Sequence, residues 1–290
     1  MLNNMINFTY FGSSRLSVIV LDELLKLNFK PRLIVTTKDK PQGRKLEVKP
    51  NIVKSWAIEH NIPVIDDLKN IPKEGNELFI VASYGKIIPN EIIELPKYKT
   101  LNIHPSLLPR YRGASPLPTA ILEDTKKTGV TIMQLDSEMD HGSIVAQREI
   151  SLTDHFKDWP TYEVFEEFMA KEGAKLLAEI MPDWVAEKII PKEQDHSKAI
   201  YTKKIVKEDG LVDLNSNDPY LTFRKIQAYH EWPVAYFFIE RDGKQIRVKI
   251  TEAEFEKAKG DETRSLIIKK VIPEGKKEMS FQSFKQGYLK

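Results

Sequence analysis

One short segment of the 290-residue chain places an amide and an imidazole where both could act on the same molecule. The segment is LNIHPSLLPRYRG, residues 101–113, in which Asn102 precedes His104 by two positions. Residues two apart in a strand share a face, so these two side chains point the same way and the intervening residues point into the core. Pro105 keeps His104 extended and has no N–H for a further ladder hydrogen bond, which ends the strand there.

A second segment, DSEMDHG at 136–142, contains three carboxylates between two predicted strands. It does not fit a calcium-binding EF-hand, because His141 stands at the position that requires Gly and Gln147 at the position that requires Glu. A carboxylate here could instead orient or ionise a histidine across the sheet edge, as in acid–base catalysis. A lone histidine at a strand end is more often a satisfied structural residue, so the residue types alone leave both interpretations open.

The elements around these residues predict an α/β fold, a Rossmann-like and mostly parallel sheet with helices on its faces. We predict strands at residues 6–11, 32–37, 78–83, 100–104, 129–136 and 143–150. Apolar spacing predicts three helices. The first buries a face of Val18, Leu21, Leu24 and Leu25, the second spans 50–61 and begins at Pro50, and the third spans 161–188 with a break or kink at Pro182. Ligands of such sheets bind at the carboxyl ends of the strands, where Asn102 and His104 stand.

Composition and missing motifs exclude several classes of protein. The chain has no Cys, which excludes disulfides, thiolate nucleophiles and Cys-ligated metal sites. A single Gly12 follows the first strand, where a dinucleotide-binding turn needs three glycines, and no P-loop pattern occurs. The polar start and the lack of a long apolar run predict a cytoplasmic protein without membrane association, and we expect a monomer.

Beyond residue 183 the pattern changes from α/β to mostly β. We predict a domain at 1–183, a polar linker at 184–204 and a smaller, mostly β, barrel-like domain at 205–290. In the smaller domain Asp218 and Pro219 open a short helix, and residues 234–240 and 245–251 form a hairpin around Asp242-Gly243. Further strands are predicted at 265–271 and 278–284.

The run NIHPSLLPRYRGASP (102–116), followed by DSEMDHG, resembles the signature of the folate-dependent formyltransferases. Within them the chain resembles the methionyl-tRNA formyltransferase family over nearly its full length. The matching segments are TKDKPQGRK (37–45), VASYGKIIP (81–89), IQAYHEWP (226–233) and VIPEGKKEMS (271–280). The resemblance implies transfer of the formyl group of 10-formyltetrahydrofolate, without a metal, to methionine esterified to initiator tRNA, and hence a role in translation initiation.

The resemblance also implies roles for single residues. Asn102 would donate a hydrogen bond to the oxyanion, His104 would take a proton or stabilise the negative charge, and Asp140 would set the charge state of His104. Asp136 and Glu138 are interpreted as solvated loop acids. Folate-binding residues are expected at Ser106, Leu107, Leu108, Pro109, Ala82, Tyr84, Gly85 and Ile87.

The smaller domain resembles the OB-like β-barrel of the family, and binding of tRNA is expected from basic residues in both domains. They are Lys38, Lys40, Arg44, Lys45 and Lys49 in the first, and Arg247 and Lys249 in the second. Such a basic loop is often only a solvated loop, but residues from 201 onward hold 18 basic and 14 acidic side chains, which favours contacts with phosphate. The consecutive aromatics Tyr236, Phe237 and Phe238 are interpreted as mostly core.

The first turn departs from the resembled family, because Ser13 and Ser14 follow Gly12 where that family often has Thr and Pro. Competing interpretations are a sugar-nucleotide or glycinamide ribonucleotide N-formyltransferase and a formyltetrahydrofolate hydrolase. A non-catalytic RNA-binding protein is the alternative from outside this chemistry. The basic loop and the full-length similarity favour the tRNA substrate.

Overall fold

The computed structural model describes residues 6–42, 47–257 and 264–289. The chain forms two compact units. Unit 1 is drawn from Met1–Gly113, Thr128–Ile150 and Glu166–Tyr201, and unit 2 from Ala114–Lys127, Ser151–Phe165 and Thr202–Lys290. In the described part of the chain, no helix has both the length and the apolar composition that crossing a membrane requires.

Unit 1 is built on a mixed, mostly parallel sheet. The first nine strands of the chain are β1 (Phe8–Phe11), β2 (Leu33–Val35), β3 (Lys40–Gln42), β4 (Glu47–Lys49), β5 (Val64–Ile65), β6 (Leu78–Val81), β7 (Thr100–His104), β8 (Lys127–Gln134) and β9 (Ile144–Ser151). Seven of them form one sheet in the order β5-β2-β1-β6-β7-β8-β9, and β3 pairs with β4 separately. The five strands β5, β2, β1, β6 and β7 are parallel to one another, whereas β8 is antiparallel to β7. The predicted Rossmann-like α/β sheet is confirmed.

The first five helices are α1 (Arg15–Lys26), α2 (Ile52–Glu59), α3 (Asn90–Ile93), α4 (Pro116–Leu122) and α5 (Tyr162–Val185). Helix α1 begins at a capping box, in which the Ser14 side chain accepts a hydrogen bond from a backbone N–H of the first turn. Leu21 and Leu24 are buried as predicted, while Val18 and Leu25 are only half-buried. The buried face consists of Leu16, Ser17, Val20, Leu21 and Leu24, so it is shifted around the helix from the predicted face.

Two helix boundaries differ from the prediction. Asn51 caps α2 by accepting a hydrogen bond from the Lys54 N–H, so Pro50 lies before the helix rather than in its first turn. Helix α5 continues through Pro182 to Val185 instead of breaking there. Pro182 lies in the last turn of α5. The backbone hydrogen bond that a proline cannot donate is therefore lost near the end of the helix, where few residues follow.

Unit 2 contains a four-stranded antiparallel sheet. Its strands are β10 (Tyr236–Arg241), β11 (Lys244–Lys257), β12 (Arg264–Pro273) and β13 (Met279–Ser280), in that order, and its later helices are α6 (Pro219–Ala228) and α7 (Phe281–Tyr288). Asp242 and Gly243 connect β10 to β11 with φ of 53° and 70°, as the predicted hairpin turn requires.

The strand predicted at 278–284 is wrong beyond Ser280. The Ser280 side chain caps α7 by accepting a hydrogen bond from a backbone N–H in the first turn. Phe281, Phe284 and Tyr288 then stack along one side of the helix, with ring centres 5.9 and 5.0 Å apart, and Phe284 is fully buried. Their spacing of three and four residues is helical, and it outweighs the local β propensity of the aromatic residues.

Candidate active site

Asn102 and His104 lie at the carboxyl end of β7 in the sheet of unit 1. The alternating residues Leu101 and Ile103 are buried in the core, as the strand pattern predicts. His104 is buried and Asn102 is half-buried. Among the described residues no group forms a hydrogen bond with the Asn102 amide, so its N–H groups can donate to a bound molecule.

A backbone carbonyl determines which nitrogen of His104 is protonated. Nε2 lies 2.9 Å from the carbonyl oxygen of Tyr111, and a carbonyl oxygen can only accept, so Nε2 donates. The other ring nitrogen, Nδ1, faces Asp140 with 3.6 Å between Nδ1 and Oδ1. That distance is too long for a hydrogen bond, but a proton held by either atom is attracted to both.

The loop between β8 and β9 contains three acids with different surroundings. Oδ2 of Asp140 accepts a hydrogen bond of 2.7 Å from the Gly113 N–H. The φ of Asp140 is 51°, in the left-handed region that Asp and Asn enter most readily among residues with a side chain. Asp136 instead lies 2.7 Å from His141, and Glu138 is exposed. Of these three acids, Asp140 is the one that faces His104.

The turn after β7 is stabilised by hydrogen bonds within the turn and to β8. Ser106 is fully buried, and its hydroxyl donates to a backbone carbonyl of the same turn over 2.6 Å. The Leu108 N–H donates to the Thr131 hydroxyl over 3.2 Å. Leu107 and Pro109 are half-buried. Of the four residues predicted to bind folate here, two form the inner side of the turn and two retain accessible surface.

The segment predicted as the pterin-pocket wall follows β6. Ala82 and Tyr84 are buried, whereas Gly85 is exposed and Ile87 is 93% exposed. Gly85 has a φ of 72°, which glycine adopts without strain. Ala82 and Tyr84 therefore support the segment from the core, and Gly85 and Ile87 offer surface to a ligand.

Ser13, which departs from the pattern of the resembled family, connects the first turn to this segment. Its hydroxyl donates to the Tyr84 carbonyl over 2.7 Å, and its backbone N–H donates to the Ser83 carbonyl over 3.2 Å. A proline at position 14 would also lose the cap of α1. Ser13 thus joins the ends of β1 and β6, and Ser14 caps α1.

The cations predicted to bind tRNA in unit 1 are described only in part. Lys38 and Lys49 are exposed. Lys40 begins β3, and its side chain is not described. Arg44 and Lys45 lie outside the described residues.

In unit 2, Arg247 and Lys249 lie on one face of β11. The register places them opposite Phe238 and Tyr236 of β10, respectively. The Arg247 guanidinium lies 5.6 Å from the centre of the Tyr236 ring, and Phe238 is 41% exposed. Phe237 is buried on the opposite face, and Tyr236 is also buried. Two of the three aromatics are therefore buried, as predicted, and Phe238 is exposed beside the cations.

Three side chains that stabilise the site were missed by the sequence analysis: Arg112, Gln147 and Gln194. The Gln147 amide donates to the Leu108 carbonyl over 2.8 Å and to the Thr131 hydroxyl over 2.9 Å, which holds the turn after β7. Arg112 belongs to the motif at 101–113, but nothing in the sequence predicts that its side chain is buried. Gln194 lies in a polar stretch without periodicity, and no local signal indicates its contacts.

Comparison with known proteins defines the class of enzyme. Residues 5–179, which contain Asn102, His104 and Asp140, match the family model described as formyl transferase. The methionyl-tRNA formyltransferase of Sulfurihydrogenibium sp. (strain YO3AOP1) is 37% identical over 275 residues, which cover 90% of this chain and 87% of that protein. The chain belongs to the methionyl-tRNA formyltransferase family.

Solved structures with the same fold include the methionyl-tRNA formyltransferase from Clostridium thermocellum. It has a TM-score of 0.58 and 18% identity, and the match covers 91% of this chain and 99% of that chain. HypX from Aquifex aeolicus in complex with tetrahydrofolic acid has a TM-score of 0.65 and 19% identity, over 99% of this chain and 48% of that chain. At these identities the likeness establishes the fold alone.

Proposed function

We propose that this enzyme transfers the formyl group of 10-formyltetrahydrofolate to the α-amino group of methionine on initiator tRNA, as a cytoplasmic monomer acting in translation initiation. One observation supports this most directly. Asn102, His104 and Asp140 converge at the carboxyl end of β7, in a chain that is 37% identical to a methionyl-tRNA formyltransferase over most of its length.

The Asn102 amide is the proposed oxyanion donor. The methionyl amine attacks the formyl carbon directly, and the formyl oxygen becomes negatively charged in the tetrahedral intermediate. A donor aimed at that oxygen contributes typically about 10²- to 10³-fold to the rate. The half-buried Asn102 amide, without a hydrogen-bond partner in the described parts of the chain, supports this role.

The His104–Asp140 pair is the proposed proton acceptor. Because the Tyr111 carbonyl engages Nε2, the nitrogen that can take up a proton is Nδ1, on the side of Asp140. The attacking amine loses a proton to this pair as its nitrogen bonds to carbon. The pair then returns the proton to N10 of the folate as the C–N10 bond breaks, so proton and electron pair are balanced without a covalent enzyme intermediate.

The folate is proposed to bind along two turns that end at the same sheet edge. Leu107 and Pro109 from the first, and Gly85 and Ile87 from the second, would contact it. The buried partners of these residues, Ser106, Leu108, Ala82 and Tyr84, would keep the two turns in shape. A rigid apolar wall suits a flat pterin ring.

For tRNA we propose phosphate contacts from the basic loop at 37–49 and from the cations of β11. The loop residues are Lys38, Lys40, Arg44, Lys45 and Lys49. The exposed Phe238 beside Arg247 and Lys249 supports a nucleic-acid surface on an OB-like module. We also propose a catalytic domain at 1–183, a linker at 184–204, whose residues up to Tyr201 belong to unit 1, and this module at 205–290.

An acceptor assay tests the proposed function. The purified protein is incubated with 10-formyltetrahydrofolate and, in parallel, with Met-charged initiator tRNA, glycinamide ribonucleotide, an amino-sugar nucleotide or water alone. We expect formylmethionyl-tRNA to form, at a rate far above the formylation of the two small acceptors or the release of formate. Formylation of a small acceptor without the tRNA product would overturn the proposal.

A further inference from the structure

Residues 192–201, called the strap below, contact the loop that contains Asp140. Gln194 of the strap is 4% exposed, and its amide uses all of its hydrogen-bonding capacity. Its Nε2 donates to the carbonyls of Asp140 and Gly142, at 2.9 and 2.7 Å. Its Oε1 accepts from Nη2 and Nε of Arg112, at 2.7 and 3.2 Å.

Arg112 gives the Gln194 amide its orientation. The side chain of Arg112 is 1% exposed and extends from the motif that follows β7. Its guanidinium can only donate, so it binds the oxygen of the amide and leaves the NH₂ group facing the loop. The guanidinium also donates to the Tyr201 hydroxyl over 3.1 Å and lies 2.8 Å from Nδ1 of His196, both in the strap.

The strap has backbone anchors that do not depend on Gln194. Lys192 and Ile144 exchange two backbone hydrogen bonds, of 2.7 and 2.8 Å. The Arg112 N–H donates to the Ile200 carbonyl over 2.8 Å, and the Ile200 N–H donates to the Pro109 carbonyl over 3.2 Å. A change in the Gln194 side chain is therefore expected to release the loop and to leave the strap in place.

The loop at 136–142 has an unusual backbone conformation and packs closely against β8. Asp140 is in the left-handed region, with a φ of 51°. A Cβ on Gly142 would lie 2.1 Å from the Gln134 carbonyl oxygen, so the loop passes close against β8. The two carbonyls that Gln194 binds belong to Asp140 and to Gly142, two residues further on. Gln194 therefore constrains the backbone of the segment whose carboxylate the Gly113 N–H also holds.

We propose that Gln194, oriented by Arg112, is a positioning residue that maintains the geometry between Asp140 and His104. The inference rests on the proposed function, because it assigns Gln194 a purpose in the same formyl transfer. Neither residue needs to touch a substrate. A misplacement of about 1 Å in a catalytic group can cost about 100-fold in rate.

Gln194→Glu tests this most sharply. The carboxylate keeps a partner for Arg112 but cannot donate to the two loop carbonyls, which it repels instead. We expect kcat with Met-charged initiator tRNA to fall about 10- to 100-fold, with KM for the folate and the tRNA within about twofold of the parent. Gln194→Asn, which keeps the amide but withdraws it by one methylene group, should lose less.

Gln227→Glu is the matched control. Gln227 is also buried, and its amide donates to a backbone carbonyl, that of Trp159 in unit 2, over 3.1 Å. Its kcat should equal that of the parent even if its thermal unfolding midpoint falls. The second readout is a double-mutant cycle, in which Gln194→Glu should lower kcat far less in an Asp140→Asn background, since its effect is exerted through Asp140.

The outcomes separate the two proposals. A parent enzyme that does not formylate Met-charged initiator tRNA overturns the proposed function. An active parent with equal kcat in the Gln194→Glu and Gln227→Glu variants overturns the positioning role, and so does an undiminished effect in the Asp140→Asn background. Loss of folding in both Gln194→Glu and Gln194→Asn would also overturn it, because the backbone anchors of the strap would then have proved insufficient.

Discussion

Replacing Asp140 by Asn removes one charge from the candidate site with little change of shape. Asn accepts the hydrogen bond from Gly113 as Asp does, and it tolerates the same left-handed backbone. What is lost is the attraction between the carboxylate and a proton on Nδ1 of His104, 3.6 Å away. At an effective dielectric constant of about 20 this attraction amounts to about 4 to 5 kcal/mol. Since about 1.4 kcal/mol corresponds to a tenfold change, kcat should fall about 10³-fold.

The assay is single-turnover formylation of Met-charged initiator tRNA with saturating folate, so that the chemical step is measured apart from product release. Asp136→Asn is the control, because it makes the same substitution in the same loop, also beside a histidine, at 2.7 Å from His141. The control should retain nearly the parent rate. A rate for Asp140→Asn within about tenfold of the parent would refute the proposed transfer of the proton to the His104–Asp140 pair.

Two further perturbations address unit 2. Lys249→Ala should weaken tRNA binding and reduce the salt slope of the binding constant by about 1, as expected for one lost phosphate contact. Lys269→Ala should change the tRNA affinity and the salt slope less, because Nζ of Lys269 lies 2.6 Å from Glu254, which already offsets its charge. Equal effects of the two substitutions in binding titrations across salt concentrations would contradict this. Burial and then the charge of Asp124 raise the pKa of Tyr220 to about 12. The folded state therefore keeps a proton that the unfolded chain loses near pH 10, and stability falls as pH rises from about 10 to about 12. Tyr220→Phe should reduce that fall in urea unfolding at alkaline pH, and an unchanged pH dependence would argue against it.

The parts of the fold that follow from local periodicity could be predicted. Alternation placed Asn102 and His104 together at the end of β7, and the apolar runs predicted the mostly parallel sheet. The Asp242-Gly243 turn predicted the hairpin of unit 2. In each case the signal lies within a few residues of the element that it specifies.

The parts that depend on distant partners could not. Arg112 belongs to the motif at 101–113, but a charged side chain is normally exposed, and its buried position depends on contacts with the strap, 82 positions away. Gln194 stands in a polar segment that resembles a solvated connection. The helix at Phe281–Tyr288 was not predicted because its aromatic residues favour strands, and the cap at Ser280 together with the helical spacing of the aromatics outweighs that propensity.

The contact between Arg112 and Gln194 has a consequence for the order in which the nascent chain acquires activity. The two residues are 82 positions apart, so the strap reaches its place only after the ribosome has released a long stretch beyond the sheet. A nascent chain that ends at residue 179, the limit of the matched family region, contains Asn102, His104 and Asp140 and still lacks Gln194. Domains generally fold as units, and the strap belongs to the same compact unit as the sheet. If Gln194 has the proposed positioning role, a nascent chain without the strap lacks part of this unit and full activity with it.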